Sequence, residues 1–172
     1  MIHIVVTGSE CTGKTTLARA LAGHYETSCV PEFVRRFVAE KGVTPDAEDV
    51  TAVARGQMAL QDKHSAAAAT LLVHDTDLLS TVVYSTHYYD GCPAWIEPEL
   101  RARAADLYLL AGIDVPWVAD GEQRDRGDRR EEMQALFRDA LSSRGFPFVE
   151  LRGDRAERLT GAIRAVDRVL NA

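Results

Sequence analysis

Apolar residues along this chain fall into short unbroken runs, separated by longer stretches in which they return every three or four positions. Ile2 to Thr7, Ser28 to Val30, Leu71 to Asp75, Asp106 to Ala111 and Pro147 to Leu151 have the length and continuity of strands buried on both faces. Between them the period changes. Lys14 to Tyr25 places Leu17, Ala20 and Leu21 on one helical stripe, and Glu32 to Glu40 does the same with Phe33, Phe37 and Val38 before Gly42 ends it. Thr44-Pro45-Asp46 reads as a helix start, and Ala47 to Ala69, rich in Ala, Gln, Leu and Met, is predicted as one long helix that Gly56 bends. Leu78 to Tyr89 and Ala94 to Ala104 are predicted helices on either side of Asp90-Gly91-Cys92-Pro93. Residues 112 to 128 have no apolar period and read as a long loop; Arg129 to Arg144 and Ala156 to Leu170 are helical, the latter with Leu159, Ile163, Val166 and Leu170 on one face.

Strands alternating with helices predict an α/β fold: a five-stranded parallel sheet with right-handed crossovers and helices on both faces. No internal repeat or low-complexity linker interrupts the pattern, so residues 1–172 are expected to form a single domain. In such sheets ligands bind beyond the carboxyl ends of the strands. The turns after the first, second, third and fourth strands, at Gly8, Glu32, Asp75 and residues 112 to 128, all fall on that edge.

The turn after the first strand, Gly8-Ser9-Glu10-Cys11-Thr12-Gly13-Lys14-Thr15, matches G-x-x-x-x-G-K-[ST] at every fixed position and lies between a strand and a helix. Backbone N–H groups held in a concave loop at a helix N-terminus solvate a polyphosphate without side-chain rearrangement. Gly8 to Thr16 is therefore the expected nucleotide-phosphate cradle. Within it, Lys14 is the point charge for the β and γ phosphates and the Thr15 hydroxyl a Mg²⁺ ligand. Asp75, closing the third strand, suits the acid that holds Mg²⁺ opposite Thr15.

Glu32 follows the second strand, across from where the γ phosphate should lie, and is the candidate general base or hydroxyl positioner; its alternative is a carboxylate placed for the helix dipole. Arg35, one turn on, either binds a substrate group or pairs with Glu32. Asp77 either binds substrate hydroxyls or caps the next helix. His74 reads as an interior histidine and is left outside the site. Arg124, Arg126, Arg129 and Arg130 stand on or beside the long loop, where they form either a closing lid that brings cations to the transferring phosphoryl group or a solvated mixed-charge surface.

Composition narrows the classes further. A formal net charge of -6 and only three lysines, Lys14, Lys41 and Lys63, argue against a nucleic-acid-binding surface. No apolar stretch approaches the roughly 20 residues of a membrane helix. Met1-Ile2-His3 opens a strand rather than a charged leader, and a cytoplasmic location without membrane association is expected. Cys11, Cys29 and Cys92 are too far apart for a zinc pair or disulfide framework and are expected as thiols.

Taken together these residues resemble the ribosylnicotinamide (nicotinamide riboside) kinase family, over nearly the whole chain. The family's G-x-E-[SC]-[ST]-G-K-[ST] loop is matched by Gly8 to Thr15, its E-[FY]-x-R element by Glu32-Phe33-Val34-Arg35, and its D-T-D with a following Ser/Thr pair by Asp75-Thr76-Asp77 and Ser80-Thr81. Pro116-Trp117-Val118-Ala119-Asp120-Gly121 matches the segment ahead of the family's arginine-bearing lid. The resemblance implies a P-loop kinase that moves the ATP γ phosphate to the 5′-hydroxyl of nicotinamide riboside, with Mg²⁺, a small nucleoside as its partner. It implies phosphate contacts from Arg124, Arg126 and Arg130, and substrate contacts from Glu32, Arg35, Asp77, Asp120 and an aromatic face at Trp117 or Tyr88. Two departures stand out: Pro31 occupies the position where members often carry Trp, and Gln123 stands where Arg is usual. The alternatives are a kinase for another nucleoside or nucleotide, and an ATP-binding regulatory ATPase. No H-x-G-H element of the adenylyltransferase that accompanies this kinase in bifunctional relatives is present.

Overall fold

The first strand alternates its side chains between two faces, and both faces are apolar, so it can only sit inside a covered sheet. The computed structural model of the protein describes residues 1–68, 70–116 and 129–172. In it β1 (Ile2–Thr7) lies at the centre of a parallel five-stranded sheet of order β2-β3-β1-β4-β5, with β2 (Cys29–Val30), β3 (Leu71–Asp75), β4 (Leu107–Ala111) and β5 (Phe148–Leu151). β1 pairs with β3 from Ile2 opposite Leu71 to Val6 opposite Asp75, and with β4 from Ile4 opposite Leu107 to Thr7 opposite Leu110. That register brings the end of β1 level with Asp75.

Ile4 and Val6 point to one face, where they pack with Leu17, Ala18 and Leu21 of α1 (Lys14–His24) and with Ala162, Ala165 and Val166 of α7 (Arg155–Leu170). Val5 points to the other. There it joins Tyr108, Leu110, and the buried faces of α3 (Val50–Ser65), α4 (Leu78–Tyr89), α5 (Ile96–Ala102) and α6 (Arg130–Arg144). The remaining helix, α2 (Phe33–Lys41), has no buried residue and lies across the carboxyl edge of the sheet against α3. Gly42, in the left-handed region at φ 79°, ends it where the sequence predicts.

The predicted elements differ from the structure mainly at their ends. Glu32 caps α2 instead of opening it, and Asp106 precedes β4, accepting from the His3 amide at 2.7 Å. The predicted single helix over Ala47 to Ala69 is the one larger correction. Asp46 and Asp49 form a reciprocal capping box that winds Ala47–Asp49 as a 3₁₀ turn, and α3 proper runs only from Val50 to Ser65. Ala66 and Ala67 are exposed, so helix propensity there has no packing to reinforce it. His74 is interior as expected: it faces His3 at 3.0 Å, and burial lowers its pKa to about 3, so it is neutral.

One charged residue is built into the fold close to the site. Arg158, 5% exposed, donates to the carbonyls of Thr12 at 2.9 Å, Gly112 at 3.0 Å and Gly153 at 2.8 Å, and pairs with Asp114 at 2.5 Å. A single guanidinium thus ties the turn after β1 to the turns after β4 and β5. Arg158→Met removes the donors while keeping the volume, and leaves three carbonyls without them. Because Asp114 stays partly solvated, we expect a loss at the lower end of the range for breaking a buried pair, about 3 kcal/mol. Urea denaturation of the two proteins measures it.

Candidate functional site

Gly8 has φ 130°, and a Cβ there would stand 3.0 Å from the Ala111 carbonyl oxygen. The chain therefore turns tightly over the end of β4 before rising to Gly13, the left-handed N-cap of α1 at φ 79°. Cys11 also has positive φ, 55°. Three such residues within six positions fold the loop back on itself, and α1 begins with Lys14 and Thr15 on its first turn. Thr12 closes the loop by donating its hydroxyl to the Ser9 carbonyl at 2.9 Å. Lys14 is buried, and its Nζ donates to the same carbonyl at 2.7 Å. The Ser9 Oγ is buried and has no hydrogen-bond partner among the described residues.

Above this loop opens a cavity of about 700 Å³. Glu10 to Thr16 and Arg19 form one end, Glu32, Val34, Arg35 and Val38 its α2 wall, Val50, Val53 and Gln57 its α3 wall, and Asp77, Ser80, Thr81, Tyr84, Ser85 and Tyr88 its α4 wall. The cationic, N–H-rich end and the Glu32 carboxylate thus share one space. The α4 contribution follows from helical spacing: positions 77, 80, 81, 84, 85 and 88 lie on one face.

Glu32 occupies the N-cap position of α2 without a capping hydrogen bond from its side chain, a place that suits both the expected dipole carboxylate and the hydroxyl positioner. Its Oε2 accepts from the Arg35 Nε at 2.8 Å, and its side chain is 15% exposed. The pairing expected as one reading of Arg35 is present. Asp77 caps α4 by accepting from the Leu79 amide at 3.0 Å, and its other oxygen accepts from the Tyr108 hydroxyl at 2.9 Å. Burial raises the Asp77 pKa to about 6, against the lowering effect of those two donors.

Asp75 is buried at the end of β3, and its Oδ1 has no hydrogen-bond partner among the described residues. Thr15 lines the cavity from the first turn of α1. A hydroxyl and a carboxylate form an oxygen-only donor set of the kind a hard divalent cation takes, so these residues fit Mg²⁺. Arg130 opens α6, and its Nη1 donates to the Val115 carbonyl at 2.8 Å; it is not among the described cavity-lining residues. Trp117, Asp120, Arg124 and Arg126, and with them the expected lid, lie outside the described residues.

The structure adds residues that the sequence reading passed over. Tyr84 stacks parallel to Tyr88 with ring centroids 6.1 Å apart, and both line the cavity. Gln57 lines it from α3, and Arg158 braces the loop from behind. Arg158 had a signal: it lies four residues before Ala162 and eight before Val166, so a charge falls on an apolar stripe. Gln57 had none, because its partners are 24 and 26 residues away.

Among proteins of known identity, the trifunctional NAD biosynthesis/regulator protein NadR of Escherichia coli K12 is 26% identical over 154 residues, 86% of this chain and 37% of NadR. A crystal structure of NadR in complex with NR superposes with a TM-score of 0.82 at 24% identity, over 99% of this chain and 52% of that one. Thymidylate kinase from Ehrlichia chaffeensis gives a TM-score of 0.66 at 14% identity, covering 96% of this chain and 98% of the kinase. The chain therefore spans about half or less of the NadR proteins it matches, and has the P-loop kinase fold. A family model described as an AAA domain matches residues 3–158, and the chain belongs to that family.

Proposed function

We propose that this chain is a nucleoside kinase, and that it transfers the γ phosphate of ATP to the 5′-hydroxyl of nicotinamide riboside, giving nicotinamide mononucleotide and ADP. The observation that carries the reading is the shared cavity: the loop residues Glu10 to Thr16 and Glu32 line one space. The similarity to NadR, a protein of NAD biosynthesis, supports the acceptor. We further read residues 1–172 as one kinase domain.

In this proposal the loop amides and Lys14 hold the β and γ phosphates. Lys14 gives up its hydrogen bond to the Ser9 carbonyl for a phosphate oxygen, and the Ser9 hydroxyl gains the partner it lacks. Thr15 and Asp75 hold Mg²⁺, which neutralises charge on the phosphate oxygens when bound. Glu32 accepts the proton of the acceptor hydroxyl as that oxygen bonds to the γ phosphorus and the bridging oxygen to ADP departs. Arg35 keeps the carboxylate aimed, and Asp77 meets the substrate's ribose. The Tyr84 and Tyr88 rings provide the stacking face that Pro31 does not, together with Trp117. Arg124, Arg126 and Arg130 bring cations to the phosphate end when the lid closes, and Asp120 meets the substrate.

Three outcomes check this reading. Lys14→Ala should abolish turnover, measured as ADP release; wild-type activity would remove the loop from the mechanism. Glu32→Gln should lower kcat about a hundredfold or more with ATP affinity kept, the range for a positioned base. In a panel of nucleosides, nicotinamide riboside should give the phosphorylated product most rapidly. A different nucleoside turning over in its place would keep the kinase and change the acceptor.

A further inference from the structure

Glu32 stands where the sheet has stopped holding the chain. β2 is only two residues long and its pairing with β3 ends at Val30 opposite His74, while α2, which Glu32 caps, buries none of its residues. Neither element anchors the peptide units on either side of the carboxylate. Gln57 of α3 does. Its Oε1 accepts from the Phe33 amide at 2.8 Å, and its Nε2 donates to the Pro31 carbonyl at 3.3 Å. The two groups belong to the residues immediately before and after Glu32, so one side-chain amide brackets it as the next rung of a sheet would. The orientation of that amide is dictated, because an N–H can only donate and a carbonyl only accept. Gln57 is 5% exposed, and its bracket is completed by its neighbour: the Phe33 ring lies on Gly56, where a Cβ would fall within the ring's contact distance.

We infer that Gln57 is the positioning residue for Glu32: its amide fixes the backbone on both sides of the carboxylate, and so sets where the base meets the acceptor hydroxyl. The inference rests on the kinase reading above and on Glu32 as its base. Gln is the side chain the task requires. Asn is one methylene shorter, Glu lacks the donor for the Pro31 carbonyl, and Leu lacks both functions. With one amide N–H and the carbonyl oxygen committed to the backbone on either side of Glu32, Gln57 is assigned a role that acts through Glu32.

The experiment is a double-mutant cycle on steady-state ADP release, using the nucleoside that turns over fastest in the panel, with ATP binding measured by calorimetry for every variant. Gln57→Leu should lower kcat by about tenfold to a hundredfold, the scale of a misplaced reacting group, with the Kd for ATP unchanged. In a Glu32→Gln background the same substitution should cause no further loss, because the group it positions is already gone. Equal loss in both backgrounds, or an unchanged kcat in Gln57→Leu, overturns the inference. Should Gln57→Leu not bind ATP, the near-isosteric Gln57→Glu takes its place in the same cycle, read by the same two criteria. If Glu32→Gln alone keeps wild-type kcat, Glu32 is not the base and the inference falls with that assignment, while nucleoside-dependent ADP release leaves the kinase reading standing. If Glu32→Gln is slow and Gln57→Leu is not, only the role of Gln57 falls.

Discussion

A methyl group on residue 8 would stand 3.0 Å from the Ala111 carbonyl oxygen and 3.4 Å from the Ala111 nitrogen, on a backbone whose φ of 130° disfavours any L side chain. This close approach lets the turn after β1 cross the end of β4 and still reach Gly13 in time to start α1. Its position depends in turn on register. β1 is held on both sides, by β3 and β4, so the loop leaves the sheet at a fixed height, level with Asp75. Arg158 then secures the far side of the loop by its bond to the Thr12 carbonyl. The conformation of six residues is thus determined by the centre of the sheet and one buried guanidinium, with no contribution from the helices that line the rest of the cavity.

The opposite wall is held differently. α4 is anchored by Leu78, Leu79, Val82 and Val83 in the core, which leaves Ser80, Thr81, Tyr84, Ser85 and Tyr88 to face the cavity. α2 has no such anchor and depends on side-chain ties at its two ends. At its start Gln57 grips the backbone and Phe33 rests on Gly56; at its finish Lys41 bonds to Asp46 and Asp49. Ties to exposed groups are individually weak. The cavity therefore has a loop end and an α4 wall fixed by the core, and an α2 wall with no buried residue of its own.

Which parts of this could be read from the residues follows from the range of the forces involved. β1, β3 and α4 have the bounds that their apolar patterns predict, because each is set by burial and by an immediate neighbour: a glycine, an acid or a capping Asp77. The phosphate-loop motif is equally local, although its geometry also leans on Ala111 and Arg158. Between Ala47 and Ala68 the structure departs from a single helix because alanine propensity says nothing of packing and the Asp46–Asp49 box imposes a tighter first turn; Ala69 lies outside the described residues. Among the expected site residues, Lys14, Glu32, Arg35, Asp77 and Tyr88 line the cavity, the first four expected from their places after strand ends and Tyr88 from the resemblance. For Arg158 the apolar stripe signals burial but not its partners, and for Gln57 nothing does, since what both do is decided by backbone groups that the fold brings to them from distant segments.

Pro31 shows how these two kinds of constraint meet. In the resembling family this position often carries Trp, yet what the fold takes from it here is a carbonyl oxygen that accepts from Gln57 Nε2, a group every residue supplies. Proline offers that oxygen and gives up only an N–H, and the pairing of β2 with β3 has already ended at Val30. It also fixes φ directly before Glu32 and favours the extended Val30 that β2 needs. The exchange of Trp for Pro thus removes an aromatic face while stiffening the approach to the carboxylate. The aromatic surface beside the cavity lies instead on the anchored wall, where Tyr84 and Tyr88 are parallel.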